Sequence, residues 1–196
     1  MRTRANTRSG RRPGSTPRPL HAAGVTLIEL MVTIAILAIL LGLAVPSFND
    51  AMLSTKLSST ANNLIASTHL ARSEAIKRNG QVSLCVSTDG ATCTAGNWEQ
   101  GWIVECPTND NLSCNPAGAN TLVLQTQSAA PNGFRISDTG GATSLIFLAT
   151  GGVQAAPHTL SVCRATPSVG TQNRVVNIIA TGRASVSTTN GIIACP

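Results

Sequence analysis

The chain has 196 residues, a formal net charge of +6 and 3% aromatic residues, and its length admits one globular domain plus an appended segment. Six of the 14 Lys and Arg (Arg2, Arg4, Arg8, Arg11, Arg12 and Arg18) precede Gly24, and the eight that follow it are matched by eight Asp and Glu. The positive charge therefore belongs to a leader and is no general argument for a nucleic-acid partner.

Residues 2–20 are rich in Arg, Ser, Thr and Pro, a composition expected to be disordered and, being basic, to stay on the cytoplasmic side of a membrane. Gly24-Val25-Thr26-Leu27-Ile28-Glu29 follows, and the apolar run continues through Leu30 to Val45. About 20 apolar residues span a bilayer. A carboxylate inside such a run is costly unless something meets it, which makes Glu29 a functional candidate. Three plainer readings compete with processing at Gly24: a secretory signal cut after Gly42-Leu43-Ala44, an uncleaved single-span anchor, and a buried core helix. Against the first stand the length of the run, Glu29 within it, and its unbroken passage into a helical pattern.

Residues 25–79 read as one helix, in which Pro46 removes one backbone hydrogen bond and kinks rather than ends it. Beyond Pro46, Leu53, Leu57, Ala61, Leu64, Thr68, Ala71 and Ala75 recur at spacings of three and four, one apolar stripe suited to packing on a sheet. Glu74 and Arg78 form an i,i+4 pair, and Asn79-Gly80 is a stop signal.

After Gly80 come eight short β-like runs between Gly, Pro, Asn and Thr clusters: 82–87, 101–105, 121–127, 134–137, 144–148, 159–164, 174–180 and 183–187. One helix followed by a series of strands predicts an α+β domain with antiparallel sheet. The expected parts are thus 1–24 leader, 25–45 membrane helix, 46–79 amphipathic continuation, and 80–196 β-rich domain. All six cysteines (Cys85, Cys93, Cys106, Cys114, Cys163, Cys195) follow the apolar run, as expected of disulfides in an exported domain. Their order suggests the local pairing Cys85–Cys93, Cys106–Cys114 and Cys163–Cys195. Zinc is the rival, but the intervals are wider than zinc-knuckle spacing. Loops 88–97 and 107–120 each hold one cysteine of a pair.

The junction and helix resemble the cleavage site and N-terminal helix of type IV prepilins and type II secretion pseudopilins. Asn97-Trp98-Glu99-Gln100-Gly101-Trp102-Ile103-Val104 resembles the W-x-x-G-W segment of the GspH/FimT family of minor pilins and pseudopilins. Leu84-Cys85-Val86, Leu145-Ile146-Phe147 with Gly151-Gly152, Leu160-Ser161-Val162-Cys163, Arg174-Val175-Val176-Asn177-Ile178 and Gly182-Arg183 extend the likeness over nearly the whole chain after residue 22. The resemblance implies a pilin-like fold with the long helix packed on the β domain. It also implies cleavage after Gly24 by a prepilin peptidase and N-methylation of Val25, which stands where Phe or Met is usual. Glu29 becomes the fifth mature residue, placed to meet the N-terminal amine of a neighbouring subunit or its own. A Pro at the distance of Pro46 is a further pilin feature. Implied partners are other pilins or pseudopilins and an inner-membrane assembly platform. The chain would be anchored in the inner membrane with its C-terminal domain in the periplasm, then enter a pilus or pseudopilus. The abundance of Cys and the Gly-Arg element favour the pilus side.

Some members of that family bind DNA through a Gly-Arg-x-Arg loop. Here the segment reads Gly182-Arg183-Ala184-Ser185, without the second Arg. Arg164, Arg174 and Arg135 could join Arg183 on one face to contact phosphate. A DNA-receptor role and a freely secreted disulfide-bonded protein are the alternatives to a structural subunit. For Trp98 and Trp102 the plainer reading is core aromatics. No catalytic residue, metal or cofactor is expected. The mature chain has two histidines, His69 and His158, both read as solvated or structural, and no nucleophile motif or phosphate loop.

Overall fold

A computed structural model describes residues 24–107, 114, 121–164, 173–189 and 195. Residues 1–23, which hold nearly all of the expected leader 1–24, and most of loop 107–120 lie outside the described residues. The chain divides into two compact units, one ending at Ala44 and one starting at Val45. Helix α1, Leu27–Arg78, supplies the first unit and the opening of the second. Through residue 46 the helix assignment is unbroken.

In the first unit, the helix is exposed at every described position up to residue 43. It is long and apolar enough to cross a membrane. In the second unit the stripe Leu53, Leu57, Ala61, Leu64, Thr68, Ala71 and Ala75 is buried throughout. The helix ends in a Schellman motif. Asn79 takes the left-handed φ of 52°, its N–H donates to Ile76 C=O at 3.2 Å, and Gly80 N–H donates to Ala75 C=O at 3.1 Å. Two carbonyls that a helix end leaves open are thereby satisfied.

Eight strands follow: β1 Val82–Val86, β2 Trp102–Cys106, β3 Leu122–Gln127, β4 Phe134–Asp138, β5 Ser144–Phe147, β6 His158–Arg164, β7 Asn173–Ile178 and β8 Ala184–Thr189. They build two antiparallel sheets rather than one. The first has the order β3-β2-β1-β5 and the second β4-β6-β7-β8. β1 and β2 are central strands and are buried at every position, whereas β4 alternates. A central strand covered on both faces loses the alternation that marks a half-exposed one. The helix stripe and apolar residues of both sheets, among them Leu84, Val104, Phe147, Leu160 and Ile178, form one hydrophobic core.

Candidate assembly site

The helix start is capped from within the junction. Thr26 Oγ1 accepts the Glu29 N–H at 3.3 Å, and Thr26 C=O accepts the Leu30 N–H at 3.1 Å. Thr26-Leu27-Ile28-Glu29 thus has the spacing of a capping box. Its effect is to start the helix two residues after Val25 and place Glu29 in the first turn, where the helix dipole favours a carboxylate. Glu29 is exposed, and among the described residues its carboxylate has no partner. Gly24 lies in non-helical backbone, with nothing near its Cβ position.

The Trp-Gly-Trp segment is a structural hub. Trp98 opens a single 3-10 turn, Trp98–Gln100, and its Nε1–H donates to Ala142 C=O at 2.8 Å. Trp102 begins β2 and donates Nε1–H to Ser67 Oγ of α1 at 2.9 Å, a buried bond between helix and sheet. Both indoles are buried with their one polar atom satisfied. Gly101 between them has φ 111°, and a Cβ there would lie 2.7 Å from the Gln127 carbonyl oxygen. Glu99 reaches the second sheet: Oε2 accepts Ile136 N–H at 3.1 Å and Oε1 accepts Arg135 Nη1–H at 2.9 Å. The carboxylate occupies a backbone donor on edge strand β4, which blunts that edge against further pairing.

The four arginines do not share one surface. Arg174 of β7 donates from Nε to Ser58 Oγ at 3.1 Å and from Nη2 to Ser54 Oγ at 3.0 Å, so it joins the second sheet to α1. Arg164 stacks over the Phe134 ring, 5.8 Å from its centroid. Arg135 lies opposite Cys163 in the register and Phe134 opposite Arg164. Strand alternation therefore puts Arg135 and Arg164 on opposite faces. Arg183 is exposed in the β7–β8 turn, next to the pair Ile178↔Ala184, whereas Arg174 lies opposite Thr188 at the other end of the hairpin. Strand parity and the length of the hairpin thus keep the four from the single face that the sequence left open.

Gly182, by contrast, has a structural reason to be glycine. Its φ is 73°, and a Cβ would fall on the Gly151 carbonyl oxygen and 3.2 Å from Arg72 Cδ. Arg72 Nε donates to that same Gly151 carbonyl at 3.0 Å. Arg72, Ser67 and Glu99 are thus joining residues that sequence reasoning missed. Only Glu99 carried a signal, its place inside the Trp-Gly-Trp segment.

The sulfurs lie in three bridges, Cys85–Cys93, Cys106–Cys114 and Cys163–Cys195. Arg78 Nη1 donates to Cys114 C=O at 2.9 Å, and its Nε to Glu74 Oε2 at 2.6 Å. The Arg78 hydrogen bond, opposed by some burial, holds the Glu74 carboxyl below its usual range. Asp89 is held low by backbone N–H groups of Ala91 and Thr92 and by the Thr92 and Ser87 hydroxyls. Glu105 is the exception: burial pushes its carboxyl up. Its Oε1 lies 2.9 Å from Cys93 Sγ. A disulfide sulfur carries no proton, so Cys93 cannot donate at this contact. Cys85, Cys93 and Glu105 have ligand atoms within 4.8 Å of one another, but the bridge consumes both thiolates that a metal would need. Asp138, also buried, accepts N–H bonds from Gly140, Ala142 and Thr159 at 2.9, 3.1 and 3.1 Å. His158 is buried, with Nε2 3.2 Å from Gln154 C=O. Its Nδ1 lies 3.8 Å from Asp138 Oδ1, so the ring sits between the β6 entry and the end of β4. His69 is exposed on α1.

Comparison with known proteins adds five findings. A family model described as Type II transport protein GspH matches residues 60–182, and one described as Prokaryotic N-terminal methylation motif matches residues 20–45. Pilin-like protein PilA1 of Thermus thermophilus is 44% identical over 68 residues, 35% of this chain and 42% of that protein. The chain thus matches less than half the length of that relative. The crystal structure of the type IV minor pilin FimU of Pseudomonas aeruginosa (strain PAO1) aligns with a TM-score of 0.56 at 20% identity, covering 72% of this chain and 96% of FimU. At that identity the likeness concerns the fold. The minor pseudopilin EpsH of the Vibrio cholerae type 2 secretion system aligns at TM-score 0.48 and 17% identity, over 68% of this chain and 97% of EpsH.

Proposed function

Because the chain belongs to the GspH family of type II transport proteins, whose model covers residues 60–182, we propose that it is a minor subunit in the tip or initiation complex of a type IV pilus or the related type II secretion pseudopilus. The precursor is cut after Gly24 by a prepilin peptidase, and the new N-terminus, Val25, is methylated. The N-terminal methylation motif over residues 20–45 supports this step. Before assembly, the apolar part of α1 anchors the chain in the inner membrane with the β domain in the periplasm. An assembly platform then moves it into the filament.

The observation that carries the reading is Glu29, a carboxylate with no partner among the described residues, in the first turn of an exposed apolar helix. Removing such a charge from water costs several kcal/mol unless an opposite charge meets it. Cleavage at Gly24 creates that charge, an amine one helical turn away in sequence. Pairing with the amine of a neighbouring subunit offsets the loss and sets the register. The test compares membrane abundance with sheared-filament abundance for the wild type and Glu29→Gln, together with the N-terminal mass of the mature chain. The expected result is a chain starting at methylated Val25, equal membrane amounts, and at least about fivefold less Glu29→Gln in filaments, as for a lost coupling of about 1 kcal/mol. A chain starting at Val45 supports ordinary secretion instead. Equal amounts in both fractions refute the pairing.

A further inference from the structure

Arg72 and Ile76 stand one turn apart on α1 and meet two turns of the β domain, 148–152 after β5 and 179–183 after β7. Arg72 Nε is fixed on Gly151 C=O at 3.0 Å. A Cβ on Gly151 would lie 2.8 Å from Ile76 Cδ1, and one on Gly182 would lie 3.2 Å from Arg72 Cδ. The two turns are tied together by Val153 N–H to Ala180 C=O at 3.0 Å. Ile179 and Arg183 bracket the second turn, with Ile179 N–H donating to Arg183 C=O at 3.1 Å. Opposite residues of a hairpin send their side chains to the same face.

This end of the domain has an unusual composition. Ile76 and Ile179 are 49% and 48% exposed, and Arg183 is exposed beside Ile179. Segments 148–154 and 179–184 contain no carboxylate. The nearest one along α1, Glu74, is already held by Lys77 and Arg78. Among the described residues, the Nη groups of Arg72 and the guanidinium of Arg183 have no partner. A chain whose charges after Gly24 balance overall thus gathers at this end two cations and two half-bare isoleucines, packed around two glycine turns.

We propose that this end docks a neighbouring pilin subunit that presents an acidic side chain flanked by apolar ones. The inference rests on the assembly reading above and names a contact surface for it. The partner's carboxylate is received by Arg72, whose guanidinium the Gly151 carbonyl has already oriented, with Arg183 nearby. A fixed guanidinium loses less entropy on binding a carboxylate in a two-bond fork. Ile76 and Ile179 bury against the partner's apolar residues. Arginine with apolar neighbours is the composition of a protein–protein hot spot. A phosphate backbone would draw on the arginines alone and gain nothing from the isoleucines.

The test uses the full chain in its own strain. A benzophenone amino acid replaces Ile179, and adducts are sought by irradiation of membranes and of sheared filaments. Ile76→Ser combined with Ile179→Ser, and Arg72→Glu, are scored in parallel for membrane and filament abundance. The expected result is one discrete adduct with another pilin, lost with Arg72→Glu, and at least a fivefold fall in filament content of the variants at unchanged membrane content. If the wild type never enters filaments but the adduct forms in membranes, the assembly reading fails and the docking surface stands. If the wild type enters filaments with no adduct and the variants enter equally, the docking surface is refuted. A third outcome also overturns it: salt-sensitive binding of a duplex oligonucleotide that Arg72→Glu abolishes and the isoleucine changes leave intact.

Discussion

Trp102→Phe tests whether the Trp-Gly-Trp segment is a joint between helix and sheet. The substitution removes the Nε1–H that donates to Ser67 Oγ at 2.9 Å, a bond buried at both ends. A neutral buried hydrogen bond contributes about 0.5–1.5 kcal/mol net. Phe is smaller than Trp by about 40 Å³, and at about 24 cal/mol per Å³ of unfilled cavity this adds about 1 kcal/mol. The sum is about 2 kcal/mol, which lowers the melting temperature of a domain this size by about 4–8 °C. Ser67→Ala leaves the indole N–H unpaired in the core and costs about 1–3 kcal/mol. The assay is thermal and denaturant unfolding of the detergent-solubilised chain, for the wild type, the two single variants and the double variant. Coupling of about 0.5–1.5 kcal/mol in this cycle is expected. Costs that add within about 0.3 kcal/mol would show that the bond contributes nothing and that Trp102 matters by volume alone.

The remaining predictions concern charge, backbone and bridges. Because burial raises the Glu105 carboxyl in the folded state, the folded chain keeps a proton that the unfolded chain loses. Stability therefore falls as pH rises from the ordinary carboxylate range through the folded-state pKa, with a slope of up to about 1.4 kcal/mol per pH unit. Glu105→Gln should flatten that slope in urea midpoints taken across this range, and identical slopes for both proteins would exclude a buried neutral Glu105. Gly101→Ala forces a side chain into φ 111° and towards the Gln127 carbonyl. It should cost at least about 2 kcal/mol, read as a lower melting temperature, whereas an unchanged value would mean the turn relaxes freely. The Cys163–Cys195 bridge closes a separation of 32 residues and Cys85–Cys93 one of 8. Replacing the first pair by serines should cost about 3–4 kcal/mol and the second about 2–3 kcal/mol by loop-closure entropy. The reverse order, measured by denaturant unfolding, would assign the second bridge a role beyond loop closure.

Much of the architecture was legible because it is decided in short windows. The helix stripe Leu53 to Ala75 follows from spacings of three and four, and all seven positions are buried. Each of the eight strands falls within a few residues of a β-like run, since Gly, Pro and Asn clusters punctuate the chain between them. Glu29 and Gly24 were visible because a carboxylate within an apolar run and a glycine at the end of a basic leader are local anomalies.

Other features depended on which segments meet. Periodicity tells which face of an element is buried, not what buries it. Hence the split into two sheets, and the placing of β5 beside β1 across 57 intervening residues from Val86 to Ser144, were not readable. The same limit applied to Arg174, which looked like a surface cation until β7 met Ser54 and Ser58 of α1. Gly182 looked like half of a cationic motif until the 148–152 turn came within reach of its α-carbon. The sequence by itself determined the long apolar helix, its amphipathic continuation and the strands, because each is set by interactions among near neighbours. Only the tertiary structure decided the sheet partition, the Trp102–Ser67 joint and the sorting of the arginines, because each depends on which separate segments meet, as where Arg174 reaches Ser54 across 120 positions.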